Sequence, residues 1–128
     1  MKYLFDTNII VEHLKGKKSI EVSFLRKGSA VSIVTRAELF YGAYRSKRSQ
    51  ENLSKIREML AELGIETAPL TEEIIDKYGR VKAELERKGQ KLDEFDLLIA
   101  ATALSLNLTL VTSNIKHFQR IPQLKLKL

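Results

Sequence analysis

Short apolar runs that favour β-strands alternate along this chain with longer segments of helical periodicity. The four runs span residues 2–5, 30–34, 65–68 and 108–111. A helix between two strands returns the chain to the same end of the sheet, so successive strands pair in parallel. The pattern therefore predicts an α/β fold with three layers, in which helices flank a central, mostly parallel sheet of four to five strands.

Each helical segment begins or ends at a residue suited to that position. The helices are predicted over residues 8–15, 20–27, 35–46, 53–63, 71–89, 93–107 and 115–118. Ser19, Thr35 and Thr71 are the predicted N-caps of three of them, and Thr7 and Asn8 are candidate caps of the first.

The segment 93–107 differs from the other helices because it has almost no polar side. It is therefore predicted to lie at the centre of the domain, covered by other elements. Residues 124–128 alternate leucine with lysine, which predicts a half-exposed edge strand whose lysines discourage pairing with another chain. No linker or repeat divides the sequence, so residues 1–128 are predicted to form one domain.

The charge balance points to a polyanionic partner. The chain has 22 lysine and arginine residues against 16 aspartate and glutamate residues, for a net charge of +6. A positive excess of this size in a small domain suits nucleic acid.

The absence of cysteine excludes disulfides, thiolate catalysis and zinc–thiolate sites. The two histidines, His13 and His117, are far apart in sequence and form no metal-ligand spacing. Any metal is therefore expected to be held mainly by oxygen, which favours Mg²⁺ or Mn²⁺.

The N-terminus does not have the pattern of a signal peptide, because Asp6 and Asn8 interrupt its apolar run. No segment approaches the length that spans a membrane. We therefore expect a cytoplasmic protein with no membrane partner.

Polar residues with oxygen-bearing side chains follow the predicted strands near the point where each one ends. They are Asp6, Glu38, the pair Asp93 and Asp96, and Asn114. The carboxyl ends of parallel strands share one edge of the sheet, where α/β proteins bind ligands. These side chains are therefore expected to converge there.

Each of these residues also has an ordinary structural explanation. Asp6 could cap a helix. The sequence Thr35–Glu38 matches a capping box, in which the glutamate bonds the backbone of the cap residue. Asp93 and Asp96 fit a cap and a first-turn acid, and Asn114 could simply start a turn.

Asp96 argues most strongly for a functional site. It is followed at once by an apolar run in the helix that should be covered, and no lysine or arginine lies within a turn of it. A poorly solvated carboxylate without a partner costs several kcal/mol, as an order of magnitude, unless a cation neutralises it. Asp93 lies on the same helix face.

Several carboxylates that meet at one edge repel each other, and a hard divalent cation converts that repulsion into a binding site. A magnesium site built of acids on a basic domain suits hydrolysis of a phosphodiester, in which the metal polarises the phosphate and activates water.

Four segments, in order, resemble the PIN-domain ribonucleases, and among them the VapC-type toxins of toxin–antitoxin pairs. They are Phe5–Ile10, Ser32–Leu39 with Tyr41–Ala43, Phe95–Ala103, and Leu110–Asn114 with His117–Phe118. The similarity spans nearly the whole chain, and the length agrees with the family.

The resemblance implies a PIN-like fold and an acidic triad of Asp6, Glu38 and Asp96 around Mg²⁺ or Mn²⁺. Asp6 and Asp96 would bind the metal directly, and Glu38 would complete the site or orient the attacking water. Family members often have a fourth acid where this chain has Asn114, for which Asp93 is the candidate substitute. The resemblance also implies an endoribonuclease toxin, a homodimer and a VapB-like antitoxin that blocks the cleft.

Six further residues are expected around the triad. Asn114 and Thr112 are expected just behind the ligands, where Asn114 is a neutral oxygen ligand or holds a water. Thr7 and Asn8 are expected at the cleft floor. The candidate contacts with RNA phosphates are Arg36 and Lys116, although both also fit solvated surface charge.

Two other functions stay open at this point. One is a non-catalytic module of the same fold that binds RNA or protein. The other is a flavodoxin-like phosphohydrolase or receiver domain with Asp6 as its nucleophile. That chemistry usually needs a second acid beside or two residues from the nucleophile, whereas the neighbours of Asp6 are Phe5, Thr7 and Asn8.

Overall fold

The computed structural model describes all 128 residues and contains seven helices and five strands. In chain order the elements are β1 (Tyr3–Phe5), α1 (Thr7–Leu14), α2 (Val22–Arg26), β2 (Ser29–Ser32), α3 (Ile33–Arg45), α4 (Ser49–Glu62), β3 (Ile65–Ala68), α5 (Glu72–Arg87), α6 (Glu94–Leu106), β4 (Thr109–Val111), α7 (Ile115–Phe118) and β5 (Leu126–Lys127). No helix is long and apolar enough to cross a membrane.

The five strands form one sheet in the order β3-β2-β1-β4-β5, and every pairing is parallel. The predicted α/β fold with a mostly parallel sheet is confirmed. The central strand is β1, from which the chain moves outward through β2 and β3 before it returns to β4 on the other side. The direction of winding therefore reverses between β1 and β4, and a crevice opens at such a point beyond the carboxyl ends of the strands.

Alternating side chains of the sheet point to opposite faces and pack in two separate hydrophobic cores. Tyr3 and Phe5 pack in a core with residues of α1, α2, α3 and α4. Leu4, which lies between them on β1, points to the opposite face and packs in a second core with α5, α6 and α7. Strands β1 and β2 are buried on both faces, as expected for the centre of a parallel sheet between helical layers.

Helix α6 lies inside the second core, as its sequence predicts. Ile99, Ala100, Ala101 and Ala103 have no exposed surface. The helix ends at Asn107, which adopts a left-handed conformation with φ of 55°. Such an ending is common at helix C-termini and turns the chain directly into β4.

The predicted start of α3 is wrong, because Ser32 and not Thr35 is the N-cap. The Ser32 hydroxyl oxygen accepts the backbone N–H of Val34 at 3.0 Å, and the helix begins at Ile33. The capping box is therefore absent. The fully buried Thr35 hydroxyl instead contacts Thr7 on α1.

Two other predicted caps are also wrong. Asp6 itself caps α1, because its carboxylate accepts the backbone N–H of Thr7 at 2.8 Å. The second helix begins at Val22 rather than residue 20, and Ser19 does not cap it. The ring Nδ1 of His13 accepts the N–H of Ile20 at 3.0 Å, which holds this part of the chain outside the helix.

Candidate active site

Asp6 occupies the position where the winding of the sheet reverses. It follows the central strand β1, and Thr112 follows the neighbouring strand β4. Asp6 is 6% exposed, and its Oδ2 accepts a hydrogen bond of 2.8 Å from the hydroxyl of Thr112. Burial raises the pKa of the Asp6 carboxyl above its ordinary value, and the bonds from Thr112 and from the Thr7 backbone partly offset that rise.

Glu38 reaches the same edge from α3, one turn after the end of β2. Its Oε1 lies 2.6 Å from the hydroxyl oxygen of Thr7, which also lies 3.0 Å from that of Thr35. A carboxylate only accepts and the Thr7 hydroxyl has one proton, so Thr7 donates to Glu38 and accepts from Thr35. These bonds join the start of α1 to α3.

Asp96 enters from the first turn of α6 and is paired with His117. The Nε2 of His117 lies 2.9 Å from Oδ2 of Asp96, and the two side chains are 25% and 28% exposed. Because no lysine or arginine follows Asp96 within a turn, the sequence analysis left it unpaired. The structure supplies its partner from α7, 21 residues along the chain.

The acids at this edge influence each other electrostatically. Burial raises the pKa of Glu38, and the charges of Asp96, Asp6 and Asp93 raise it further. Burial likewise raises the pKa of Asp96, and the charge of Asp6 adds to the rise, whereas the bond from His117 opposes it. Asp6, Glu38, Asp93 and Asp96 therefore lie close enough for their charges to affect one another, as expected for carboxylates near one edge of a sheet.

The remaining candidate residues, which differ in the hydrogen bonds that they make, are Asp93, Asn114 and Asn8. Asp93 is exposed and caps α6 by accepting the N–H of Phe95 at 3.1 Å. The backbone N–H of Asn114 donates to the hydroxyl of Thr112 at 3.0 Å, but its exposed side chain makes no hydrogen bond within the protein. Asn8 is exposed on α1.

The two predicted phosphate contacts lie in different surroundings. The guanidinium of Arg36 donates to the hydroxyl of Thr67 on β3 at 3.1 Å and lies over the ring of Phe40. Arg36 thus contacts strand β3, which is two strands away from β1. Lys116 is exposed on α7, beside His117 in sequence, and forms no ion pair.

A family model described as the PIN domain matches residues 3–124. The chain belongs to the PIN domain family. The acids described above therefore lie at the carboxyl edge of the sheet in a PIN domain.

Individual PIN-domain relatives extend this result over the full chain. Ribonuclease VapC2 of Rickettsia felis is 38% identical over 132 residues, which cover 99% of this chain and 97% of the relative. The tRNA(fMet)-specific endonuclease VapC of Shigella flexneri is 34% identical, over 98% of this chain and 96% of that protein. The chain is also similar to a solved structure, the crystal structure of VapBC2 from Rickettsia felis bound to a DNA fragment from their promoter. The TM-score is 0.89 and the sequence identity is 36%, over 99% of this chain and 98% of that one.

The donor chemistry of this PIN domain fits a hard divalent cation. Its acids offer carboxylate oxygens, and no lysine or arginine forms an ion pair with Asp6, Glu38 or Asp96. The side chains do not make a closed cage, because no three acidic or histidine side chains lie close enough together to hold a metal on their own. Mg²⁺ is commonly bound by only one or two carboxylates together with water, so an open arrangement of oxygens suits it.

The contacts of His117 with Asp96 and of Thr35 with Thr7 were not predicted from the sequence. His117 lies in a segment that resembles the family, three residues after Asn114, but no role was predicted for it. The contact between His117 and Asp96 was not predicted because the two residues lie 21 positions apart in the sequence. Thr35 is not the predicted cap; it is completely buried, and its hydroxyl joins α3 to α1 through Thr7.

Proposed function

We propose that this chain is a metal-dependent endoribonuclease, the toxin of a type II toxin–antitoxin pair. The observation that carries the proposal is the convergence of Asp6, Glu38 and Asp96 near the reversal point of the sheet, with no lysine or arginine paired to them. The similarity to proteins named VapC ribonucleases, over 96–97% of their length, supports RNA as the substrate class. The net charge of +6 suits that polyanion.

Each acid has a distinct role in the proposed reaction. Asp6 and Asp96 would hold Mg²⁺ or Mn²⁺, and Glu38 would complete the site or orient the water that attacks the phosphorus. When bound, such a cation would supply polarisation of the phosphate and compensation of the charge on the leaving oxygen. Thr112 and Thr7 fix the buried carboxylates by hydrogen bonds, so that little reorganisation is needed when RNA enters the cleft.

Removal of divalent metal tests the proposal directly. Cleavage of an RNA panel that includes initiator tRNA, ribosomal RNA and messenger RNA should stop in excess EDTA and return on addition of Mg²⁺ or Mn²⁺. The reason is that the carboxylates alone repel a phosphate. Gel analysis of end-labelled RNA measures the result. Cleavage that continues undiminished in EDTA would contradict the metal mechanism, and a metal-loaded protein that binds RNA without cleaving it would favour the non-catalytic module.

The family match argues against the flavodoxin-like alternative. The local sequence agrees, because a phosphorylated aspartate needs a second acid close by in sequence, and Asp6 has none.

The proposed antitoxin partner has a suitable surface beside the acids. A groove of about 380 Å³ runs between α1, α3 and α4, with an apolar floor and two lysines at its rim. Val11, Leu39 and Ile56 contribute to the floor, and Glu38 of the acidic cluster is part of the lining. An apolar segment with acidic residues would fit this groove and block access to Glu38. The Rickettsia felis VapBC2 structure supports a VapB-like protein as the occupant.

Gly42→Leu is expected to weaken antitoxin binding without unfolding the toxin. A Cβ at Gly42 meets no atom within 4 Å, and the residue lines the groove on α3. The leucine side chain would therefore occupy space that a partner needs, and it also favours helix over glycine. Co-purification with the antitoxin should fall, and Gly79→Leu, at an equally open helical position on α5, should leave it unchanged. Equal binding by both variants would exclude this groove.

The proposed homodimer is expected to use the outer face of α3. Tyr41 and Tyr44 are 63% and 61% exposed there, and aromatic residues are enriched in interface centres. The double variant Tyr41→Ser with Tyr44→Ser should convert a dimer into a monomer, as measured by light scattering at tens of micromolar. Val22→Ser, at another exposed apolar position on α2, is the matched control. A wild-type protein that is already monomeric would contradict the proposal.

A further inference from the structure

Each of the three central carboxylates is held at one oxygen by a donor from elsewhere in the chain. Thr112 donates to Asp6 Oδ2 at 2.8 Å, and Thr7 donates to Glu38 Oε1 at 2.6 Å. Asp96 Oδ2 receives its bond from His117 Nε2 at 2.9 Å, since an ionised carboxylate can only accept. Two of the donors are neutral hydroxyls, and the third is an imidazole to which the proposed function assigns no role.

Two of these donors belong to one short segment that runs from the end of β4 through α7. Thr112 and His117 are five residues apart, and they hold acids that come from β1 and α6 respectively. The Thr112 hydroxyl also accepts the N–H of Asn114, which fixes the start of the segment. The segment therefore sets the positions of two acids that no backbone contact joins.

The far end of this segment is anchored in the second core. Phe118 has no exposed surface, and Ile121 is 2% exposed. The rings of His117 and Phe118 meet edge to face, with centroids 5.4 Å apart and an interplanar angle of 86°. This contact restricts the imidazole to a fixed orientation, so its bond to Asp96 comes from a rigid support.

We propose that His117 is a positioning residue that orients the Asp96 carboxylate for a divalent cation. Its hydrogen bond engages Oδ2, and Oδ1 receives no hydrogen bond from the protein. The inference rests on the proposed function, because it takes Asp96 as a metal ligand. A donor behind a ligand fixes its orientation before metal arrives, and loss of such a donor typically costs about 10- to 100-fold in metal affinity.

A purely electrostatic role for His117 makes a different prediction. If the imidazole acted only as a positive charge beside Asp96, it would compete with the cation, and its removal would strengthen metal binding. If it acts as a hydrogen-bond donor, a neutral donor of similar reach should replace it. Glutamine provides an amide N–H near the position of Nε2 without a charge, and leucine provides no donor.

The experiment measures metal binding in the absence of RNA. Mg²⁺ and Mn²⁺ are titrated into wild type, His117→Gln and His117→Leu, and half-saturation is determined by calorimetry and by the rise in melting temperature. We expect His117→Leu to need about 10- to 100-fold more metal, and His117→Gln to stay within about threefold of wild type. Lys116→Gln removes a charge from the exposed neighbouring residue and should change nothing. Should His117→Leu not fold in EDTA, His117→Phe replaces it, since it keeps a ring and lacks a donor.

The outcomes separate this inference from the proposed function. A His117→Leu protein that binds metal as tightly as wild type, or more tightly, overturns the positioning role. A His117→Gln protein that is weakened as much as His117→Leu also overturns it, because a neutral donor would then be insufficient. Folded wild type that responds to neither Mg²⁺ nor Mn²⁺ overturns the metal site of the proposed function and the inference together.

Discussion

Asp96→Asn should reduce RNA cleavage about 100-fold or more while the protein stays folded. Asparagine keeps the size of the side chain and an oxygen that can accept from His117, but it removes one charge from the acidic cleft. Since loss of a residue behind a metal ligand already costs about 10- to 100-fold, loss of a ligand should cost at least the upper end of that range. Initial rates on the preferred RNA, measured at saturating Mg²⁺, provide the comparison.

Melting curves of the same variant separate a ligand from a helix-end residue. In EDTA, Asp96→Asn should melt no lower than wild type, because the charge of Asp6 opposes ionisation of Asp96. Mg²⁺ at 100 times the wild-type dissociation constant should stabilise wild type by about 2.7 kcal/mol and the variant by less. Asp76→Asn is the matched control, since Asp76 is exposed on α5 and pairs only with Arg80. A fully active Asp96→Asn protein that Mg²⁺ stabilises as much as wild type would remove Asp96 from the site.

The sequence predicted the layers of the fold because the physical signals for them are local. Tyr3–Phe5 has no polar residue and the segment 93–107 has almost no polar side, so burial of both follows from composition. The order β3-β2-β1-β4-β5 was not predicted, because it depends on where each crossover packs rather than on any single segment. The placement of acids beyond the strands followed from the common edge of parallel strands.

The error at the start of α3 comes from competition between local and distant hydrogen-bond partners. Thr35–Glu38 satisfies the capping-box pattern, yet Glu38 bonds to Thr7, 31 residues away. Ser32 takes over the cap because it lies at the end of β2, where the helix must begin for Glu38 to reach the cleft. A local motif is a reliable guide only where no buried polar group elsewhere needs the same side chain.

The interpretation of Asp6 shows that capping and a functional role can coexist. The sequence analysis treated them as alternatives, but the carboxylate has two oxygens. Oδ1 accepts the backbone N–H of Thr7 as a cap, and Oδ2 accepts from Thr112 across the cleft. A structural bond therefore fixes the carboxylate rather than replacing its function.

Phe118→Ala should destabilise the protein by about 3–5 kcal/mol, the usual cost of removing a fully buried phenylalanine ring from a core. Phe118 has no exposed surface and packs in the second core with Leu4 of the central strand among its members. Its burial anchors α7, which also carries His117, and the two rings meet edge to face. A loss of this size is a large part of the 5–15 kcal/mol that stabilises a typical domain.

Phe95→Ala is the matched control, since Phe95 is 45% exposed at the start of α6 and should cost about 1.5 kcal/mol or less. Urea unfolding of both variants in EDTA measures the two free energies without any contribution from metal. Because Phe118 supports the segment that holds Asp6 and Asp96, its loss should also raise the Mg²⁺ concentration needed for half-saturation in whatever fraction stays folded. Two variants with equally small losses would mean that α7 is not anchored in the core, and the rigid support assigned to His117 would then be absent.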